Sequence, residues 1–254
     1  MAEIGVNFSS LDEARQMIAE AKKSGANTVK FQLYNEETVK DSPFKEQLLR
    51  IMLTEDNVKE LSTYARLKGL QFALTPMYVD AVAVANSYAD IIKIRFRDHE
   101  NQELVEKAVD TGKTVLVSVD RAAIPSKDSL LSQLYAFNPR VYQLFCLPLY
   151  PPQPEDFCLE SATTCKGVSL HFPHTLFDLA FAINRTYDDV YIEKHVMISP
   201  LKILDREVPL VGGENWKYID YNPPPDHAVS VTFDQLKEFT EQLLLLERMK
   251  RVRL

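Results

Sequence analysis

Short apolar runs alternate with stretches that carry the 3.6-residue repeat of an amphipathic helix along almost the whole chain. The pattern predicts strands at 2–7, 27–32, 70–75, 90–95, 113–118, 141–146, 166–171 and 190–195. Between and after them it predicts helices at 10–24, 54–68, 78–88, 99–111, 127–136, 173–185 and 232–250, with a weak helical signal around 154–162. Three helices end in glycine, at Gly25, Gly69 and Gly112, and a strand follows each at once. Glycine just past a helix supplies the left-handed residue that closes it. Strands that alternate with helices imply parallel pairing and right-handed crossovers. Eight such units predict a single-domain (β/α)8 TIM barrel rather than an open sheet.

Alternate residues of a strand share a face. One parity reads Ile4 and Val6, Val29 and Phe31, Phe72 and Leu74, Ile92 and Ile94, Val115 and Val117, Val168 and Leu170. The other reads Glu3 and Asn7, Lys30 and Gln32, Gln71 and Thr75, Lys93 and Arg95, Thr114 and Ser118, Ser169 and His171, Glu193 and His195. Lys194 breaks the pattern and is expected beyond the buried part of its strand. In a barrel the apolar parity packs on the helices and the polar parity faces the axis. An axis built only for stability carries branched aliphatics. Here it carries carboxylates, lysines, an arginine and two histidines, most of them at the carboxyl ends of strands, where barrel active sites lie. A structural ion network is the competing explanation, since buried charges must pair or meet a ligand.

Length and composition sharpen this picture. The 254 residues suit one barrel, and 46% hydrophobic with 26% charged residues is ordinary for a globular chain. A net charge of −7 argues against nucleic acid and anionic membranes as partners. No apolar run approaches the roughly 18 residues of a membrane span, and the first residues lack a secretory pattern, so a cytoplasmic protein is expected. Cys146, Cys158 and Cys165 have no metal-type spacing. The stretch 198–231, with Gly212-Gly213 and Pro223-Pro224-Pro225, is too long for an ordinary connection and reads as a rim loop or interface segment.

His171 and His195 close consecutive strands, so the barrel brings both to one rim, the start of a divalent metal site. Lys30, Lys93 and Arg95 suit an anionic ligand such as a carboxylate or phosphate. A barrel lysine could equally form a Schiff base. Residue types alone leave these chemistries open. Arg95 could grip the anion or pair with a rim acid such as Asp120. His99 and His174 read as surface or loop residues.

These residues resemble the sialic acid synthase family. The resemblance rests on Glu3-Ile4-Gly5-Val6-Asn7, on Lys30-Phe31-Gln32, on Thr75-Pro76, Lys93-Ile94 and Val117-Ser118, and on Cys146 with Tyr150-Pro151. It continues through Ser169 with His171, Glu193-Lys194-His195 and Asp226-His227-Ala228-Val229-Ser230, and so spans nearly the whole chain. It implies a barrel that condenses phosphoenolpyruvate with an open-chain aldose such as N-acetylmannosamine, giving a 2-keto-3-deoxy sugar acid and phosphate. It implies a divalent metal, Mn2+ with Mg2+ or Co2+ as alternatives, on His171 and His195. Lys30, Lys93, Thr75, Ser118 and Ser169 would meet phosphoenolpyruvate, with Arg95 added in this chain. Glu3, Gln32, Tyr150 and Asp226 would meet the aldose. Glu3, Lys30 and Glu193 are the catalytic candidates, with Glu3 or Glu193 either handling protons or orienting a neighbour. The resemblance also implies a homodimer.

The chain departs from the family pattern at several points. Phe8-Ser9-Ser10 stands for His-Asn-Gly, Arg95-Phe96 for Ala-Ser, Val119-Asp120-Arg121 for Thr-Gly-Met, and Pro148 for an asparagine. The whole chain is assigned to the barrel, without the antifreeze-like domain that many members carry. Two other readings stay open: a barrel aldolase or lyase that does not use phosphoenolpyruvate, and a binding or regulatory homologue.

Overall fold

The computed structural model describes residues 1–120, 137–150, 152–185, 189–198 and 224–251. The helix predicted at 127–136 and most of the 198–231 loop lie outside the described residues. Eight parallel strands run in chain order: β1 (Ala2–Gly5), β2 (Thr28–Leu33), β3 (Gln71–Pro76), β4 (Ile91–Ile94), β5 (Thr114–Val119), β6 (Val141–Phe145), β7 (Gly167–Ser169) and β8 (Tyr191–Met197). Pairing of β1 with β8 closes the sheet. The fold is therefore the expected TIM barrel. A ninth strand, β9 (Val231–Thr232), adds to the end of β8 through Val196↔Val231 and Met197↔Thr232.

The described helices are α1 (Leu11–Lys23), α2 (Lys45–Arg50), α3 (Glu55–Leu67), α4 (Ala81–Tyr88), α5 (Gln102–Asp110), α6 (Leu159–Ala162), α7 (Leu176–Asn184) and α8 (Phe233–Arg251). Local sequence starts and stops them. Ser10 caps α1 by accepting from the Glu13 amide, and Thr54 with Asn57 forms a reciprocal capping box on α3. Gly25, Gly69 and Gly112 take φ of +82°, +69° and +68°, the left-handed cap the sequence predicted. The weak sixth helix proves to be a 3-10 turn at Pro154–Asp156 followed by the single turn of α6. Short α2, packed in the β2–α3 connection, was not predicted, because six residues are too few to show a period.

The apolar parity packs outward as expected: Ile4, Val29, Phe31, Phe72, Leu74, Ile92, Ile94, Val115, Val117, Val168 and Leu170 are all buried in the main core beneath the helices. Phe31 is the hinge of an aromatic row, edge-on to Phe8 and stacked on Phe72.

Inside the barrel the polar parity is interrupted. Ala73, Ile91, Leu116 and Leu144 form a separate buried cluster, with Met1, Tyr142 and Tyr191 packed on it. This apolar plug fills the axis toward the amino end of the strands and confines the charged residues to the upper half of the interior.

Two expectations need correction. Lys194 does not lie past the buried part of its strand. It is 1% exposed, faces the helices, and pairs with Asp178 of α7 at 2.9 Å. Asn7 does not face the axis. β1 ends at Gly5, whose φ of +55° coincides with a break in register against β2, so the following residues turn away. The Asn7 amide instead donates to Val196 O and Ser230 Oγ.

Candidate functional site

A cavity of about 420 Å3 opens at the carboxyl ends of the strands, a volume ordinary for a small-molecule site. Glu3, Lys30, Gln32, Thr75, Lys93, Arg95, Ser118, Tyr150, Ser169, His171, Glu193, His195 and Asp226 all line it. Strand register explains the convergence. Glu3 pairs with Lys30 on one side and His195 on the other, Gln32 with Thr75, and Ser169 with Glu193. Same-face residues at matched heights on adjacent strands therefore stand side by side.

The centre of the site is a buried cluster of charges. Lys30 Nζ lies 2.9 Å from Glu3 Oε2 and 3.5 Å from Glu193 Oε1, and donates to Thr75 Oγ1 at 3.0 Å. Gln32 Nε2 donates to Glu3 Oε1 at 2.8 Å, and Ser169 Oγ to Glu193 Oε1 at 2.9 Å. Gly5 makes this crowding possible: a Cβ there would sit 2.8 Å from Glu3 Oε1 and 3.2 Å from Asp226 Oδ2. The two carboxylates are driven apart in acidity. Burial pushes Glu3 above the usual carboxylate range, and the nearby Glu193 adds to this against the pull of Lys30. Burial opposes ionisation of Glu193 too, but Lys30, Lys93 and His195 together hold it below that range.

The two lysines also differ. Burial would lower the Lys30 pKa, yet its two carboxylates more than offset this and raise it. Lys93 has no such partners. Its ammonium donates to Ser118 Oγ and Ile94 O, and burial lowers its pKa. The β4–β5 wall thus presents a buried cation that no carboxylate touches among the described residues.

The opposite wall carries the histidines. The His171 and His195 rings lie 5.2 Å apart, with Tyr150 4.7 Å from His171. Tyr150 OH donates to Asp226 Oδ1 at 2.6 Å, and Asp226 Oδ2 lies 3.4 Å from His195 Nδ1. Burial and the neighbouring His195 lower the His171 pKa to about 3, so that ring is neutral. Burial would do the same to His195, but Asp226 and Glu3 outweigh it and raise its pKa.

Residues 17–171, more than half of the chain, match the NeuB family. The chain belongs to the NeuB family. Over 98% of its length it is 30% identical to an uncharacterized protein of Methanocaldococcus jannaschii, of which it covers 71%. It is 26% identical to the N-acetylneuraminate-9-phosphate synthases of Mus musculus and Homo sapiens, over 98% of this chain and 70% of each relative. Among solved structures it resembles the N-acetylneuraminic acid synthetase of Leptospira borgpetersenii, crystallised with citrate. The TM-score is 0.75 at 21% identity, over 98% of this chain and 83% of that one. A truncated 3-deoxy-D-arabino-heptulosonate 7-phosphate synthase of Thermotoga maritima gives 0.61 at 14% identity, covering 99% and 87%. At those identities the structural likenesses speak for the barrel alone. Family membership supports an enzyme of the NeuB family, and no described helix is long and apolar enough to cross a membrane.

Several features of this NeuB-family site were not foreseen. Arg95 lines the mouth and pairs with Asp98, three residues on, where Asp120 was the rim acid named from the sequence. Cys146, Met77, Phe96, Arg97, Leu147 and Pro148 also line the cavity. Cys146 shares the inward parity of Leu144, a signal that reading β6 by alternation would have found; burial pushes its thiol up to about 12. His99 stacks on Phe96 and His174 on Phe172, so both are loop residues outside the cavity, as expected.

The donor set for a metal is partial. Among the described residues no three His, Cys, Asp or Glu side chains gather into a cage. Yet His171 Nδ1 is buried without a hydrogen bond, and His195 Nδ1 has only its 3.4 Å contact with Asp226 Oδ2. The two neighbouring imidazoles are donors of the kind that would hold a divalent cation, which would supply Lewis-acid chemistry there.

Proposed function

We propose that this chain condenses phosphoenolpyruvate with an N-acyl amino-sugar aldose, of which N-acetylmannosamine is the simplest, to give a 2-keto-3-deoxy sugar acid and phosphate. The observation that carries this reading is the division of the cavity. A cation free of carboxylate contacts, Lys93, stands on the β4–β5 wall, and a histidine pair with Tyr150 and Asp226 stands on the other. An anionic co-substrate and a polar acceptor thereby have opposite seats. Family membership supports the same reading.

Lys93, Ser118, Thr75 and Ser169 would bind the carboxylate and phosphate, with Lys30 between them and the two glutamates. Gln32, Tyr150 and Asp226 would orient the acceptor hydroxyls and amide. His171 and His195 would hold the divalent metal, which when bound polarises the aldehyde. The new bond joins the methylene carbon of phosphoenolpyruvate to the aldehyde carbon. Water adds at the enol carbon, and phosphate leaves. Glu3, whose acidity is weakened by burial, is placed to hold a proton for the aldehyde oxygen, while ionised Glu193 keeps Lys30 charged. The plug of Ala73, Ile91, Leu116 and Leu144 closes the axis to water from below.

The test is phosphate release from phosphoenolpyruvate in the presence of Mn2+ and a panel of aldoses. Release that requires both the aldose and the metal, and that His195→Ala abolishes without loss of the folded circular dichroism signal, is the expected result. Release without any aldose, or none with the full panel, contradicts the proposal.

A further inference from the structure

Asp226 reaches the cavity by a route unlike that of the other lining residues. They sit on barrel strands or within a few residues of a strand end. Asp226 stands in the segment just before the two-residue β9, which pairs with the end of β8. Its carboxylate is nevertheless seated, 13% exposed, against His195 and Tyr150.

The hydrogen bonds show what seats it. Asn7 Nδ2 donates to Val196 O at 2.8 Å and to Ser230 Oγ at 2.8 Å. Ser230 Oγ in turn donates to Asp226 O at 2.7 Å. The serine hydroxyl thus accepts from one side and donates to the other. Asn7 and Ser230 are 4% and 2% exposed, and neither lines the cavity. The turn at Gly5 aims Asn7 into this position, where one amide joins the exit of β1, the end of β8 and the segment before β9.

We propose that Asn7 and Ser230 are positioning residues: a buried hydrogen-bond relay that holds Asp226 over the histidine pair and so sets the acceptor end of the cavity. Neither touches substrate. The anion end centres on Lys93 and Ser118 of β4 and β5, across the barrel, where the Lys93 ammonium is held by Ser118 Oγ and Ile94 O and not by the relay. A defect in the relay is therefore local, and selective between the two substrates. The selectivity rests on the synthase reading above; the placement of Asp226 does not.

Ser230→Ala removes the hydroxyl at little steric cost, and two measurements on the whole chain judge it. Hydrogen–deuterium exchange in 224–232 is expected to quicken about tenfold, the size of one lost buried hydrogen bond, with β2–β5 unchanged. With Mn2+, the KM for N-acetylmannosamine is expected to rise about tenfold while that for phosphoenolpyruvate stays within about twofold. Unchanged exchange, or exchange accelerated throughout the barrel, overturns the relay. Local acceleration with both KM values raised equally, or neither raised, overturns its role at the acceptor end. If the wild-type chain turns over no substrate, the synthase reading fails, and the exchange result still decides the placement of Asp226.

Discussion

Lys30 shows how one side chain organises the site. Its ammonium is the only cation within ion-pair distance of both buried glutamates among the described residues. Removing one member of such a cluster leaves the others uncompensated, so Lys30→Met should cost about 3–5 kcal/mol. The pH dependence gives a sharper reading. In the wild type, Glu193 has a lowered folded pKa, so it contributes stability above the usual carboxylate pKa that is lost as pH falls toward 2. Without Lys30, burial and mutual repulsion raise the glutamate pKa values in the folded state. Stability is then present at low pH and lost as pH rises. Urea unfolding at pH 5 and pH 8 should therefore show the variant more stable at pH 5; greater stability at pH 8 would contradict the account. At this scale the sequence was informative because alternation is geometric: Glu3, Lys30, Lys93, Glu193 and both histidines share a parity that places them on one surface. Asp98 was not named as the partner of Arg95 because an ion pair formed within one turn leaves no trace in strand alternation.

Among the elements, the contact of α7 with β8 depends on a pair hidden from the cavity. Lys194 and Asp178 are 1% and 0% exposed and 2.9 Å apart, and the lysine also donates to Leu170 O. Asp178→Ala should destabilise the chain by about 3–5 kcal/mol, because a buried ammonium loses its partner. Asp178→Leu combined with Lys194→Met should recover most of that loss. Chemical denaturation of the single and double variants checks this; a double variant as unstable as the single one would contradict it. Periodicity revealed all eight barrel strands and most described helices, since each carries an apolar stripe. It did not reveal the Lys194–Asp178 pair, because a charged residue on an apolar face becomes intelligible only when its partner, 16 residues earlier in the chain, is brought alongside by the fold. Nor did it reveal the bend at Gly5: alternation carried through residue 7 assigned Asn7 to the wrong face, whereas the chain leaves β1 two residues sooner.

For the molecule as a whole, the barrel divides its interior by height. Small and aliphatic side chains fill the amino-terminal half, and polar groups gather above them. Parity alone showed which residues point inward, not that Ala73, Ile91, Leu116 and Leu144 would plug the axis beneath the charges. That plug lies beneath the buried Glu3, Lys30, Lys93 and Glu193, whose cavity opens at the carboxyl ends of the strands. The central claim is that this mouth seats an anion against the β4–β5 wall and a cation between the histidines. The most direct measurement is a crystal structure of the chain soaked with phosphoenolpyruvate and Mn2+. The account predicts the metal between His171 and His195 and the ligand's anionic groups against Lys93 and Ser118. Metal density away from both histidines, or phosphoenolpyruvate bound elsewhere with Lys93 untouched, would contradict it.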